Sequence, residues 1–310
     1  MKTMKKIIII FSILVPLIAE GQQFPFMDAY FINPYSMSPA YAGLKNEKTL
    51  FMDYRSDWTG IDGGPRTYQL SYSDRYSNKV GLGGKFIYDR TDIFKQILLL
   101  GTYTYEARIM DRHILNFGLS MGIYRNSIDL AKYYNDPGYV QDLVLLYGMQ
   151  KSKLKFASDF SILYRYGKLD AGILFSNLMF GSVHYQKSEL TYKPFGNHLV
   201  HASYLFSLDE KWDLRSMLVY RDGRNVPGQL DVSVEIKWND RFWLTTLMRT
   251  PGIFGLGLGG EIYRGILLNY SYDLSDNLNG NIPYNVFGSH QLTLGLKLPK
   301  LLKSKSHDTL

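Results

Sequence analysis

The stretch His290-Gln291-Leu292-Thr293-Leu294-Gly295-Leu296-Lys297-Leu298 decides the fold class. Leu292, Leu294, Leu296 and Leu298 share one face, and Gln291, Thr293, Gly295 and Lys297 share the other. That is the period of a β-strand, not of a helix. In a soluble sheet the leucines would form a core. In an outer-membrane barrel the arrangement inverts, with leucines toward lipid and small or polar residues toward the lumen. The number of such strands, and how they are joined, separates the two.

Similar segments recur from Thr49 onward. Candidate strands run over Thr49–Ser56, Arg66–Ser73, Val80–Tyr88, Ile97–Arg108, Ile114–Tyr124, Leu154–Tyr164 and Lys168–Asn177. They continue over His198–Ser207, Trp212–Tyr220, Gly228–Trp238, Phe242–Arg249, Ile253–Tyr263, Ile266–Asp273 and His290–Leu298. In one, Leu115, Phe117, Leu119, Met121 and Ile123 oppose Asn116, Gly118, Ser120 and Gly122. In another, Leu230, Val232, Val234 and Ile236 oppose Asp231, Ser233, Glu235 and Lys237. Phe242–Arg249 alternates poorly.

The connections favour the barrel. Every even-to-odd link is short (Asp74–Lys79, Ile109–His113, Arg165–Gly167, Leu208–Lys211, Asn239–Arg241, Arg264–Gly265). Every odd-to-even link is as long or longer, including Arg125–Lys153, Leu178–Asn197 and Leu274–Ser289. Outer-membrane barrels place tight turns on the periplasmic side and long loops outside. The expected fold is therefore all-β: a transmembrane antiparallel up-and-down barrel of about 14 strands. The link Arg125–Lys153 is too long for a bare turn and reads as a surface lobe.

The flanks fit export. Lys2, Lys5 and Lys6 precede an apolar run, Ile7 to Ala19, and then Ala19-Glu20-Gly21. This reads as a secretory signal peptide over residues 1–21, too short to be a helical membrane anchor. Residues 22–48, with Pro25, Pro34 and Pro39, show no periodicity and form an irregular segment on the lumenal or periplasmic side. The barrel occupies 49–298, and 299–310 is a short basic tail. Both termini are expected in the periplasm. Removal of three lysines and one glutamate with the leader lowers the net charge from +7 to +5. The balance is no nucleic-acid stripe. Tyrosine (25) and phenylalanine (17) are plentiful enough for interfacial girdles.

Little of the sequence suggests reaction chemistry. There is no cysteine, which removes thiol catalysis and cysteine metal sites. His198 and His201 have a helical metal spacing, but three residues apart on a strand means opposite faces. No serine, histidine and carboxylate suggest a triad, so no catalytic, cofactor-binding or metal-binding residue is assigned, and the chain is read as non-enzymatic. The glycines at 81, 83, 84 and 255–260 sit inside strands with no helix after them, so they are not phosphate loops. On a lumen face, such glycines make room for crowded side chains or for something passing through.

Two denser clusters stand apart. One is Gln22-Gln23 followed by Tyr30, Asn33 and Ser38-Pro39-Ala40-Tyr41-Ala42-Gly43, a turn-rich aromatic segment that needs a partner surface. The other holds Tyr54, Arg55, Trp58, Gly60, Gly64, Pro65 and Thr67, spanning the first strand, a hairpin loop and the second strand.

These clusters resemble the PorP/SprF family of outer-membrane proteins of the type IX secretion system. The family pattern runs Tyr-x-x-Asn, Asn-Pro-Ala-Tyr-Ala-Gly, Gln-Trp-x-Gly and Gly-x-Pro-x-Thr. Tyr30, Asn33, Pro39, Ala40, Tyr41, Ala42, Gly43, Trp58, Gly60, Pro65 and Thr67 match it, and Gly64 accompanies them. Ser38 and Asp57 depart, standing where asparagine and glutamine are usual. Gly288-Ser289-His290 is also similar to the family. The resemblance implies the outer membrane of a Gram-negative bacterium and a part in export or gliding. Its implied partner is a secreted adhesin or that adhesin's C-terminal sorting domain, with other type IX secretion components alongside. The alternatives are a member coupled to the periplasmic ring of the machine and a hydrophobic-solute or passive channel. The pattern identifies no binding residues.

Overall fold

The computed structural model describes residues 26–44, 47–129, 149–152, 154–176, 178, 183–184, 191–192, 197–223, 226–250, 252–275 and 287–298. The leader at 1–21, the tail at 299–310 and most of the Arg125–Lys153 lobe lie outside the described residues.

Fourteen strands form the wall. They are β1 (Lys48–Ser56), β2 (Arg66–Arg75), β3 (Val80–Thr91), β4 (Phe94–Met110), β5 (His113–Asp129), β6 (Lys155–Tyr166) and β7 (Leu169–Phe175). The second half comprises β8 (Asn197–Ser207), β9 (Trp212–Gly223), β10 (Val226–Trp238), β11 (Phe242–Arg249), β12 (Ile253–Tyr263), β13 (Ile266–Ser275) and β14 (Ser289–Leu298). Each pairs antiparallel with its sequence neighbours. Then β1 pairs with β14, Lys48 opposite Leu298 and Ser56 opposite His290, and the sheet closes on itself. Closure satisfies the backbone groups of every strand, the condition for an extended chain to cross hydrocarbon.

Side-chain direction follows the inverted pattern. On β14, Leu292 is 47% exposed while Thr293 is fully buried. On β5, Leu119, Met121 and Ile123 face out and Asn116 and Ser120 face in. On β10, Asp231, Ser233 and Glu235 are buried and Leu230 and Val232 are exposed. The apolar face is outside all round the barrel.

The link asymmetry is weaker than the sequence suggests. Odd-to-even links 57–65, 130–154, 176–196 and 276–288 are long, but 92–93, 224–225 and 250–252 have only two or three residues, within the range of the even-to-odd turns. The strands run further than alternation indicates: β4 and β5 have 17 residues each, well beyond the nine to eleven of a tilted crossing. The extra length shortens the links. All the long links still gather at one mouth.

Residues 26–44 are not structureless. A 3-10 turn (Ala29–Phe31), a single helical turn (Pro34–Met37) and a second 3-10 turn (Pro39–Tyr41) follow one another. Pro34 and Pro39 open the last two, where a missing N–H is harmless. The segment fills the lumen. Tyr30, Phe31, Tyr35, Met37, Ala40 and Tyr41 pack with inward-facing Leu163, Leu174, Leu199, Met217 and Val219. Ala29 and Ile32 pack with Phe51, Trp243 and Leu267. This explains Phe242–Arg249: Phe242, Leu244 and Met248 face out, while Trp243 faces in against the segment and Leu247 faces in to line a small space beside Tyr30 and Phe31. A strand with apolar partners on both sides loses its alternation.

Phe26 lies under Arg221 and Arg249, near the ends of β9 and β11 at the long-link mouth. Gly43 abuts Asp74 at the end of β2, at the short-turn mouth. The segment therefore descends the lumen before entering β1. Phe26 and Leu298 sit at opposite mouths, and Phe26 is held at the long-link mouth by its contacts.

Candidate functional site: the lumenal segment and the closing seam

The wall is shaped for this segment. The Ala40 amide donates to Ser161 Oγ at 2.8 Å, and Thr104 Oγ1 donates to the Ala42 carbonyl at 2.9 Å. Asn33 Nδ2 donates to Ser71 Oγ at 3.0 Å, and the Tyr35 and Thr102 hydroxyls lie 2.7 Å apart. Lys85 Nζ donates to the Ser36 carbonyl at 2.9 Å. These contacts reach β2, β3, β4 and β6, so a turn with few internal hydrogen bonds meets the wall's polar groups. Glycines give the clearance. A Cβ on Gly118 would meet the backbone of Pro39 and Ala40, and one on Gly83 would lie 2.7 Å from the Tyr35 ring. Gly43, at φ +67, turns the chain out of the lumen.

At the long-link mouth the segment is tied by charge. Arg249 Nη2 on β11 meets Asp28 Oδ1 at 2.7 Å, and Arg55 Nη1 on β1 pairs with Asp28 Oδ2. Arg55 also meets Asp57 at 2.8 Å and Asp273 at 2.7 Å, and Arg249 grips Asp231 at 2.9 and 3.0 Å. The Asp28 amide donates to Gln291 Oε1 at 2.9 Å. Burial by itself pushes the Asp28 carboxyl up, but the Arg55 and Arg249 guanidiniums hold it well below the usual carboxylate range. Burial raises the phenols of Tyr30, Tyr35 and Tyr41, so they remain neutral hydroxyls. Such an enclosed network fixes position more than it adds stability.

The second family cluster lies elsewhere. Trp58, 47% exposed with φ 50, and Gly60, with φ 102, stand in the β1–β2 link. That link is tied by Asp57 N–H to the Pro65 carbonyl (2.9 Å) and Gly64 N–H to the Ile61 carbonyl (3.2 Å). It reaches across the closing seam. Thr59 donates to the Gly288 carbonyl from its amide (2.9 Å) and its hydroxyl (2.8 Å), and the Phe287 amide donates to the Thr59 carbonyl at 2.7 Å. Thr67, fully buried, donates to Asp89 at 2.7 Å. Tyr30, Asn33 and Pro39 to Gly43 thus gather in the lumen, whereas Trp58, Gly60, Gly64 and Pro65 gather with Gly288 at the rim.

Sequence reading did not find the Asp28–Arg55–Arg249–Asp273 network, although Asp231 was visible on an inward face. Two of its ion pairs, Asp28–Arg249 and Arg55–Asp273, join positions more than two hundred apart along the chain. His198 and His201 do point to opposite sides, outward and into the lumen, where His201 packs on Tyr41 with ring centroids 5.4 Å apart. Among the described residues no group of three or more histidines and carboxylates is placed to hold a metal.

A family model for type IX secretion system membrane proteins PorP/SprF matches residues 19–296. No curated protein matches the chain. Among solved structures, the CymD monoaromatic hydrocarbon channel is similar at TM-score 0.50 and 10% identity, over 89% of this chain and 93% of that one. A Pseudomonas aeruginosa FadL homologue is similar at TM-score 0.46 and 10% identity, over 89% and 94%. The translocator domain of autotransporter NalP from Neisseria meningitidis is similar at 0.39 and 12%, over 88% and 95%. At such identities the likeness speaks for the barrel fold alone. The family is that of outer-membrane proteins of a secretion system. With the family model running from the lumenal segment into the last of the fourteen strands, the chain belongs to the PorP/SprF family of type IX secretion system membrane proteins.

Proposed function

We propose that this barrel is a non-enzymatic outer-membrane component that helps export, or holds at the cell surface, a large secreted adhesin delivered through its C-terminal sorting domain. The observation that carries the reading is the occupied lumen. A barrel filled from Phe26 to Leu44 by its own buried segment is built as a rigid platform rather than an open conduit. The gathering of the long links at one mouth supports it, since that mouth offers a broad surface for docking. In this reading the long-link mouth faces outward. The chain divides into a leader (1–21), a lumenal segment (22–48), the barrel (49–298) and a periplasmic tail (299–310).

Deletion of the gene tests the role. Loss of one large sorting-domain protein from the cell surface, or its release into the medium, is the expected result. Unchanged surface display of every such protein would contradict it. Co-purification from native outer membrane separates the anchor from a ring-coupled member: a surface protein co-elutes in the first case, periplasmic ring components in the second.

A further inference from the structure

At the long-link end, the lipid-facing side of β2 to β5 carries a row of cations. Arg66 stands directly opposite Arg90, and Arg90 directly opposite Lys95. Arg125, opposite Ile97, lies one diagonal step from Lys95. These four share the outer face, since the alternate residues Thr67, Asp89, Gln96 and Asn126 are buried on the lumen side. The next outward row toward mid-membrane is Tyr54, Tyr68 and Tyr88, with successive ring centres 5.0 and 6.1 Å apart. Such a tyrosine belt marks the headgroup level of a bilayer, so the cations lie where lipid phosphates do. Across the barrel the same end shows Tyr220, Asp222, Leu230 and Met248 outward, so the charge is confined to one sector. The protein answers little of it. Asp129 meets Lys95 at 2.7 Å. Asp62 and Asp92 stand in the links above, and neither pairs with an arginine of the row. Among the described residues Arg66, Arg90 and Arg125 form no ion pair. Like charges directly opposite on a sheet repel, and partial burial weakens their screening by salt.

We propose that this sector binds the phosphorylated sugar headgroup of an outer-leaflet glycolipid of the lipid A type. Its phosphates meet the arginines, and its acyl chains run down over exposed Leu70, Phe86 and Leu99. Two features fix the class. Arginine forks match phosphate oxygens with paired, charge-assisted hydrogen bonds. Width does the rest: Arg66 and Arg125 lie three strand spacings apart, roughly 14 Å. A two-sugar head with a phosphate at each end covers that span, whereas a single phosphodiester covers one or two cations. The proposal rests on the long-link mouth facing outward. Binding by the isolated protein does not depend on that orientation, which antibody access to an N-terminal tag on intact cells reads separately.

The test is native mass spectrometry of the full mature chain released from detergent micelles. It is titrated with lipid A bearing two phosphates, with the same lipid stripped of phosphate, and with phosphatidylglycerol. The expected result is saturable binding of the phosphorylated lipid A, with the other two weaker by at least about tenfold, since each cation near an anionic headgroup contributes about fivefold. Arg125→Gln weakens lipid A about fivefold, and Arg66→Gln combined with Arg90→Gln about 25-fold. Arg264→Gln, an exposed cation at the short-turn mouth, leaves it unchanged. Folding of each variant is checked by its heat-dependent gel shift, and Arg125→Gln carries the test should the double variant not fold. Equal binding of the three lipids, phosphatidylglycerol binding as tightly as lipid A, or binding untouched by the row variants would overturn the proposal. So would a loss of the same size from Arg264→Gln. Expected binding with the N-terminal tag closed to antibody would contradict the orientation, and failed binding with the tag open would contradict the site.

Discussion

The Ala42 carbonyl occupies the space that a side chain on Gly81 would need, on the strand wall opposite. Gly118 stands in the same relation to the backbone of Pro39 and Ala40. Neighbouring backbone cannot rotate away as a side chain can. Gly118→Val is therefore expected to cost about 1–3 kcal/mol, toward the upper end, through overpacking. The cost falls on seating of the segment, not on strand pairing. Limited proteolysis should cleave between residues 26 and 44 in the variant while the barrel keeps its heat-dependent gel shift. Resistance equal to wild type would contradict this.

Asp28 gives a pH dependence of definite sign. Its folded carboxyl titrates below the ordinary 3.8, so the stabilisation is complete above that value and is lost only as pH falls through the lower folded value. Asp28→Asn removes the shared carboxylate but leaves Arg55 with Asp57 and Asp273, and Arg249 with Asp231. A loss of about 3 kcal/mol is expected, the low end for breaking a buried pair. The wild-type-to-variant gap in thermal midpoint should persist from pH 8 to 5 and close only in strong acid. A gap that closes near pH 6 would contradict the assignment.

Beyond the ladder between β1 and β14, the rim of the seam is tied by Thr59 and Gly288. Thr59→Val removes one hydroxyl bond and should cost about 1 kcal/mol. Gly288→Ala should cost more, about 1–2 kcal/mol from the left-handed backbone alone, because φ is +74 and a Cβ would also crowd the Tyr272 ring. Urea unfolding in detergent measures both. Equal costs would mean the rim turn is not held as described.

The opposite placement of Phe26 and Leu298 predicts which tags are reached from outside. A peptide tag between Gln23 and Phe24 should bind antibody on intact cells, and one after Leu310 should not until the outer membrane is permeabilised. A silent N-terminal tag on intact cells would reverse the barrel's orientation.

The wall was legible because alternation records only which side is lipid. Leu292 against Thr293 is the plainest case. Legibility failed where the lumen is not water. Trp243 packs with the buried segment and Leu247 faces inward beside it, so β11 looked like a poor strand. Strand ends failed too: Asp92, with φ 48, makes a tight turn beyond the membrane span, where no lipid imposes a period. The cluster from Tyr30 to Gly43 was readable as a surface in want of a partner. That the partner is the same chain's β4, β5 and β6 required coordinates, since Ala40 and Ser161 lie far apart in sequence.

Conductance across a planar bilayer tests the occupied lumen most directly, comparing the mature chain with a variant lacking residues 26–44, each verified as folded by its gel shift. The wild type should stay silent, and the deletion should open steady, repeatable current steps. Equal steady conductance from both proteins would contradict the account.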